Sequence, residues 1–315
     1  MKRVILGKTG IEVSRIGMGV LTVGATQLNL SLEQGAAVIS HALNQGINFI
    51  DTAQYYETYD YIRLAFNNCE SKPIICSKCL GHTHSDMEYA IEEALKSLEI
   101  DCIDIFLMHE VRPGELRNGA WRALLEAKKA GKVKAIGIST HHVDIVEEYA
   151  DNQQVDVIFP LINCDGLGIR KGDGTGTRQE MEEAIKKAHD NGIGIFSMKV
   201  FGGGHLTGKY MEAMNYVFSL DCVDSVMMGF GKTEEVDTAV KYLNGELSSD
   251  FNPDISQKKT YIEPGNCEGC GSCVARCPNK AMYIGSDDMA HVDDSLCLTC
   301  GYCAPVCPVR AIILL

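Results

Sequence analysis

The sequence predicts a (β/α)8 TIM barrel followed by a small cysteine-rich α+β domain, on three observations. Between residues 3 and 245, eight short apolar runs alternate with segments of helical periodicity. Gly46, Gly131 and Gly192 stand where helices end, and the last two run almost directly into the next apolar run. The last fifty-odd residues carry one cysteine spacing twice. A doubly wound open sheet is the competing arrangement. It wants a glycine-rich turn after an early strand, and Gly17-Met18-Gly19 lacks both the third glycine and an immediate helix.

Taken in order, residues 3–14 read as a hairpin, with Val4-Ile5-Leu6 and Ile11-Glu12-Val13 flanking the turn Gly7-Lys8-Thr9-Gly10. The barrel strands are expected at Ile16–Val20, Ile47–Ile50, Pro73–Ser77, Cys102–Met108, Lys134–Ile138, Val155–Phe159, Ile193–Met198 and Ser225–Met228. Helical spacing is clear in Met87–Leu98, Ala120–Ala130, Glu180–Asn191 and Glu234–Leu243. Residues 246–260 are polar and aperiodic, so they read as a linker between a barrel of residues 1–245 and a domain of residues 261–315.

The chain has 315 residues, 45% of them hydrophobic, and a formal net charge of -13. That balance argues against nucleic-acid binding and against docking on an anionic membrane. The N-terminal stretch has no apolar signal region and no run reaches membrane-spanning length, so the expected location is cytoplasmic. Fourteen cysteines in a reducing compartment point to metal or redox chemistry rather than disulfides.

A barrel of this kind carries its reactive groups at the C-terminal ends of its strands. Asp51 ends the second strand and Tyr56 follows five residues later. Lys78 closes the third strand and His109 the fourth. Each alone has an ordinary structural explanation; together they converge on one mouth. The set suits carbonyl reduction. Tyr56 supplies a proton, Lys78 lowers the tyrosine pKa by its charge, Asp51 keeps the lysine charged, and His109 polarises the carbonyl.

These residues and their surroundings resemble the aldo-keto reductases. The likeness is carried by Leu6-Gly7-Lys8-Thr9-Gly10, Gly46–Ala53 with Tyr56, Lys78, Leu107-Met108-His109, Gly131–Ser139 and Leu206-Thr207-Gly208-Lys209. The resemblance implies catalytic Asp51, Tyr56, Lys78 and His109, and hydride exchange between a small-molecule carbonyl substrate and NADP or NAD. It implies cofactor contacts from Ser139, Asn163, Met198, Lys199, Gly229 and Lys232. The chain also departs from the family pattern. The fifth-strand signature ends Ser139-Thr140 rather than Ser-Asn, and the usual glutamine on the sixth strand falls at Phe159. The usual stacking aromatic falls near Met198, and Glu235 lies near the usual arginine, where it would repel a 2′-phosphate.

Other features have plainer readings. Cys76 and Cys79 straddle a strand end and read as structural. His82 and His84 read as a solvated loop, and Trp121 as a packing residue. The glycine-rich stretch from Asp165 to Thr177 overhangs the mouth as a loop or lid.

The cysteine region reads Cys267-x2-Cys270-x2-Cys273-x3-Cys277-Pro278, then Cys297-x2-Cys300-x2-Cys303-x3-Cys307-Pro308. It resembles the bacterial two-cluster ferredoxins, and that resemblance implies two 4Fe-4S clusters. Cys267, Cys270, Cys273 and Cys307 then hold one cluster, and Cys297, Cys300, Cys303 and Cys277 the other. A redox protein of ferredoxin or flavodoxin type is a natural partner. Fifteen linker residues reach up to about 50 Å when extended, enough to bring this domain from the barrel's bottom to its mouth and a cluster near Tyr56. The functional expectation is an oxidoreductase acting on a carbonyl compound, with clusters that transfer electrons. The alternative is an electron carrier or binding protein whose barrel has lost hydride chemistry.

Overall fold

The computed structural model describes residues 1–25, 27–66, 72–172, 174–254, 259–277, 279–297, 303–304 and 306–314. An antiparallel hairpin of β1 (Arg3–Ile5) and β2 (Glu12–Ser14) opens the chain. Six barrel strands follow: β3 (Ile16–Gly19), β4 (Phe49–Asp51), β5 (Ile74–Cys79), β6 (Ile103–Met108), β7 (Val133–Thr140) and β8 (Val157–Pro160). A small hairpin, β9 (Arg170–Lys171) and β10 (Gly174–Thr175), precedes the last two barrel strands, β11 (Gly194–Ser197) and β12 (Ser225–Gly229). β3 to β8, then β11 and β12, pair in parallel and close on β3. The eight-stranded barrel predicted from the alternation is therefore present.

Each barrel strand is followed by a helix: α1 (Leu32–Asn44), α2 (Tyr59–Phe66), α3 (His84–Leu98), α4 (Asn118–Lys129), α5 (Val143–Ala150), α6 (Arg178–Asp190), α7 (Tyr210–Phe218) and α8 (Thr233–Leu243). Local chemistry sets several of their ends. Ser31 with Gln34, Thr83 with Asp86 and Thr177 with Glu180 form reciprocal capping boxes at the starts of α1, α3 and α6. Gly46, Gly131 and Gly192 sit at positive φ just past α1, α4 and α6, as their positions in the sequence suggest.

Two apolar layers hold the barrel. Inside it, Phe49, Ile105, Val157, Phe159, Phe196 and Met227 pack with Leu6, Ile11 and Val13 of the hairpin region. Leu6 and Gly7 lie against Gly194 at the start of β11, so the hairpin seals the bottom. Phe196 stacks on Phe159 with centroids 4.3 Å apart and meets Phe49 edge-on at 5.0 Å. Outside, the buried faces of the helices pack on the outward residues of the strands. Trp121 belongs to that layer, edge-on to Tyr149 at 6.1 Å.

After α8 the chain climbs the barrel wall. Phe251 meets Tyr210 edge-on at 5.4 Å, and the Asn252 side chain accepts the Tyr210 N–H at 2.9 Å. The C-terminal domain then pairs β13 (Thr260–Ile262) with β16 (Ile312–Leu314) and β14 (Met282–Ile284) with β15 (Ala290–Val292), with α9 (Ser272–Arg276) between them in sequence. Its small core joins Ile262, Met282 and Ile312 to Cys273, Cys303 and Cys307. No helix among the described residues is long and apolar enough to cross a membrane.

Two expectations shift. The third barrel strand runs on to Cys79, one residue past Lys78, while Asp51 ends the second as its position in the sequence suggests. The stretch after β8 carries the β9–β10 hairpin instead of an irregular loop.

Candidate active site and cluster ligands

Asp51 is the last residue of β4 and Lys78 the fifth of the six in β5, so adjacent parallel strands deliver them side by side. The Lys78 ammonium donates to Asp51 Oδ1 at 2.6 Å and to the Thr52 carbonyl at 2.7 Å, in a setting that leaves the lysine 1% exposed. Its Nζ lies 4.9 Å from the Tyr56 ring centre and 5.3 Å from that of Phe159. Tyr56 ends the short turn after β4, and its hydroxyl stands 3.4 Å from Nε2 of His109, the residue following β6. All four predicted residues meet at the C-terminal end of the barrel.

Burial governs their protonation. It pushes the Tyr56 hydroxyl well above the usual tyrosine value, with Asp51, Glu263 and Glu110 adding to the rise. Lys78 is committed to Asp51, and the expected lowering of the Tyr56 pKa is not what the site provides; Tyr56 keeps its proton. Burial also drives His109 well below the ordinary histidine value, helped by Lys78, Arg117 and Lys199. His109 is thus neutral, and its buried Nδ1 has no hydrogen-bond partner among the described residues.

Beside the tetrad lies a polar chamber that sequence reasoning did not foresee. Glu110 and Lys199 both hold left-handed backbone, at φ 51 and φ 60. The buried Arg117 guanidinium pins the first of these turns by donating to the His109 carbonyl at 2.7 Å and the Glu110 carbonyl at 3.2 Å. Burial raises the Glu110 carboxyl to about 7, against the lowering effect of Lys199, Arg112 and Arg117. His141 Nδ1 lies 3.3 Å from Glu110 Oε1. Burial keeps that imidazole neutral, so the contact is not an ion pair at neutral pH. No local sequence signal marks left-handed backbone at a glutamate or a lysine.

The residues expected to meet a nicotinamide divide. Ser139, Met198, Lys199, Gly229 and Lys232 line the cleft above the tetrad. Ser139 also accepts the Glu110 N–H at 3.0 Å. Asn163 is a correction. Its amide donates to the Leu167 carbonyl and accepts the Leu167 N–H, both at 2.8 Å, and it does not line the cleft. Glu235 accepts the Gly231 N–H at 2.8 Å, placing a carboxylate on the loop after β12. The groove suits an extended ligand but not a phosphate at Gly231.

Cys76 is buried beside Asp51, and Cys79 receives the Gly81 N–H at 3.1 Å. The two face opposite sides of β5, which excludes a dithiol pair. His84 opens α3 and pairs with Glu126 at 2.8 Å; neither it nor His82 lines the cleft.

In the C-terminal domain the described ligand candidates are Cys267, Cys270, Cys273, Cys277, Cys297, Cys303 and Cys307, all free of disulfides; Cys300 lies outside the described residues. The donor set fits iron–sulfur ligation. Backbone N–H groups of Ala290, Ala281 and Ala311 point at the sulfurs of Cys267, Cys277 and Cys307, each at 3.3 Å. The last two contacts repeat one offset, as the duplicated spacing requires. Cys273 and Cys307 are buried in the same small core, so the fold brings the fourth cysteine of the second run into one cluster of side chains with the third of the first.

The domain lies over the mouth. One cleft of about 1410 Å³ is lined by Asp51, Tyr56, Lys78 and His109 and also by Glu263, Gly265, Asn266, Pro308 and Val309. Ile313 packs near Gly203 and Arg310 near Gly168, in the loops after β11 and β8.

A closed parallel barrel with this constellation at its mouth defines a TIM-barrel oxidoreductase fused to an iron–sulfur module. Residues 15–215 match the aldo/keto reductase family and residues 259–308 a 4Fe-4S dicluster domain. The chain belongs to the aldo/keto reductase family. It is 26% identical over 299 residues to L-galactose dehydrogenase of Arabidopsis thaliana, covering 82% of this chain and 93% of that one. It is 26% identical over 203 residues to the methylglyoxal reductase DkgA of Escherichia coli, covering 62% and 71%. A putative aldo-keto reductase of Pseudomonas aeruginosa shares the fold, with a TM-score of 0.65 at 21% identity, over 78% of this chain and 96% of that one.

Proposed function

We propose that this oxidoreductase reduces the carbonyl of a small molecule bound between Tyr56 and His109, and that its C-terminal domain exchanges electrons with that site. The supporting observation is the single cleft bounded by Asp51, Tyr56, Lys78 and His109 on one side and by the chain beside Cys267 and Cys307 on the other. Conversion of a carbonyl to an alcohol takes two electrons and two protons. Tyr56 holds the proton destined for oxygen, and its high pKa favours donation only as negative charge develops there. Neutral His109 donates a hydrogen bond to the same oxygen and carries no charge to neutralise. Lys78 holds Asp51 and supports the Tyr56 ring from below. The clusters supply one-electron exchange.

A nicotinamide dinucleotide is the second reading, favoured by the open groove from Met198 to Lys232. Glu235 then selects against a 2′-phosphate, so NADH rather than NADPH is the expected form. Relatives named for L-galactose and for methylglyoxal are in keeping with carbonyl chemistry. Titration with NADH and NADPH, read by nicotinamide fluorescence, separates the two sources of reducing equivalents. In either case Tyr56→Phe is expected to lower aldehyde turnover by about 10²–10⁴-fold. Turnover at the wild-type rate in that variant sinks the assignment. An inability of the wild type to reduce any carbonyl, with clusters that still cycle, leaves an electron carrier.

A further inference from the structure

Tyr55, the neighbour of Tyr56, lies against the turn that leads to a cluster ligand. A side chain at Gly265 would have to occupy the space of the Tyr55 hydroxyl, and the Tyr55 Cε2 would lie 3.3 Å from its first carbon. Gly265 has no left-handed backbone requirement, and the atoms a side chain there would meet first all belong to Tyr55. Two residues later comes Cys267.

The turn between them is firmly held. The Glu263 N–H donates to the Ala311 carbonyl at 2.7 Å, the Asn266 N–H to the Glu263 carbonyl at 3.1 Å and the Cys267 N–H to the Pro264 carbonyl at 3.2 Å. The Asn266 side chain adds a bond to the Glu263 carboxylate at 2.9 Å. On the other side, the Tyr55 ring meets the Tyr56 ring edge-on at 6.4 Å, and Tyr56 meets His109 at 5.5 Å. A chain of touching groups therefore runs from Cys267 through Gly265 and two adjacent aromatic rings to the reacting position. Electronic coupling falls steeply across empty gaps, so this contiguous route outranks one across the open cleft.

We propose that Tyr55 is a positioning residue that seats the Glu263–Cys267 turn on the active-site mouth and bridges it to Tyr56 for electron passage. The inference rests on the electron-exchange reading above. No bond of Tyr55 forms or breaks, and its phenol keeps its proton. Two electrons cross singly from a one-electron donor such as dithionite or a small redox protein. Tyr56 protonates the carbonyl oxygen, and solvent supplies the second proton, to carbon.

The test uses anaerobic holoprotein reduced by dithionite, freed of excess reductant and mixed with an aldehyde. Cluster reoxidation is followed by absorbance. Tyr55→Leu is expected to slow reoxidation about tenfold to a hundredfold, the scale of an ångström of lost positioning. Gly265→Ala, which must push the Tyr55 hydroxyl aside, is expected to slow it likewise, whereas Tyr55→Phe, which keeps the ring but loses the hydroxyl that meets Gly265, slows it less than Tyr55→Leu. Cluster potentials and spin-resonance spectra remain those of the wild type. Hydrogen exchange in residues 261–268 rises in Tyr55→Leu, a readout independent of turnover. Wild-type rates in both Tyr55→Leu and Gly265→Ala, or slowing matched by shifted potentials, overturn the inference while leaving the reading intact. Wild-type clusters that no aldehyde reoxidises overturn the reading and the inference together.

Discussion

At the residue scale, the buried Lys78–Asp51 pair governs the site. Its two partners are 1% and 6% exposed at the side chain and 2.6 Å apart. Removing one partner strands the other, so Lys78→Met is expected to destabilise the protein by about 3–5 kcal/mol in urea unfolding. The double replacement with Asp51→Asn should recover part of that loss, because no uncompensated charge then remains. Glu110 gives a pH signature. Its carboxyl is raised from 4.5 to about 7 by burial, so the native state keeps a proton that the unfolded chain releases. Its contribution is complete below the unfolded value and is lost as pH rises through 7. Glu110→Gln should therefore gain about 1 kcal/mol on the wild type between pH 6 and pH 8 in paired unfolding curves. A constant difference across that range means that Glu110 titrates normally.

At the element scale, the N-terminal hairpin plugs the barrel and the interior rings fill it. Phe196 contacts Phe159 and Phe49 and is fully buried, so Phe196→Ala is expected to cost about 3–5 kcal/mol. Thermal unfolding within a degree of wild type would show that the interior collapses around the loss. Much of this level was legible beforehand. The strand runs, the hairpin and the glycines after α1, α4 and α6 follow from two local rules, apolar period and backbone freedom at glycine. The β9–β10 hairpin was not legible, because its strands are two residues each and carry no period.

At the scale of the whole molecule, the C-terminal domain has a core of few side chains, most of them grouped around cysteines. Iron chelation is expected to unfold residues 261–315 while the barrel, with its own two apolar layers, stays folded. Hydrogen exchange would show protection lost in the C-terminal peptides alone. Protection lost throughout the chain means that the two parts fold as one unit. Burial raises the pKa of both Tyr55 and Tyr56, and Glu263 of this domain adds to the rise in each.

The sequence by itself determined the barrel, the converging Asp51, Tyr56, Lys78 and His109, and the duplicated cysteine runs, because strand period, strand-end position and ligand spacing are all local. Tertiary structure alone decided three further matters. Asn163 turns to Leu167 because its loop closes on itself, Glu110 takes left-handed backbone where Arg117 holds its carbonyl, and Gly265 meets Tyr55 because the second domain is laid on the first. The last joins residues far apart in the chain; the first two are side-chain to backbone contacts over four to eight residues, and neither kind is marked by an apolar period or a ligand spacing.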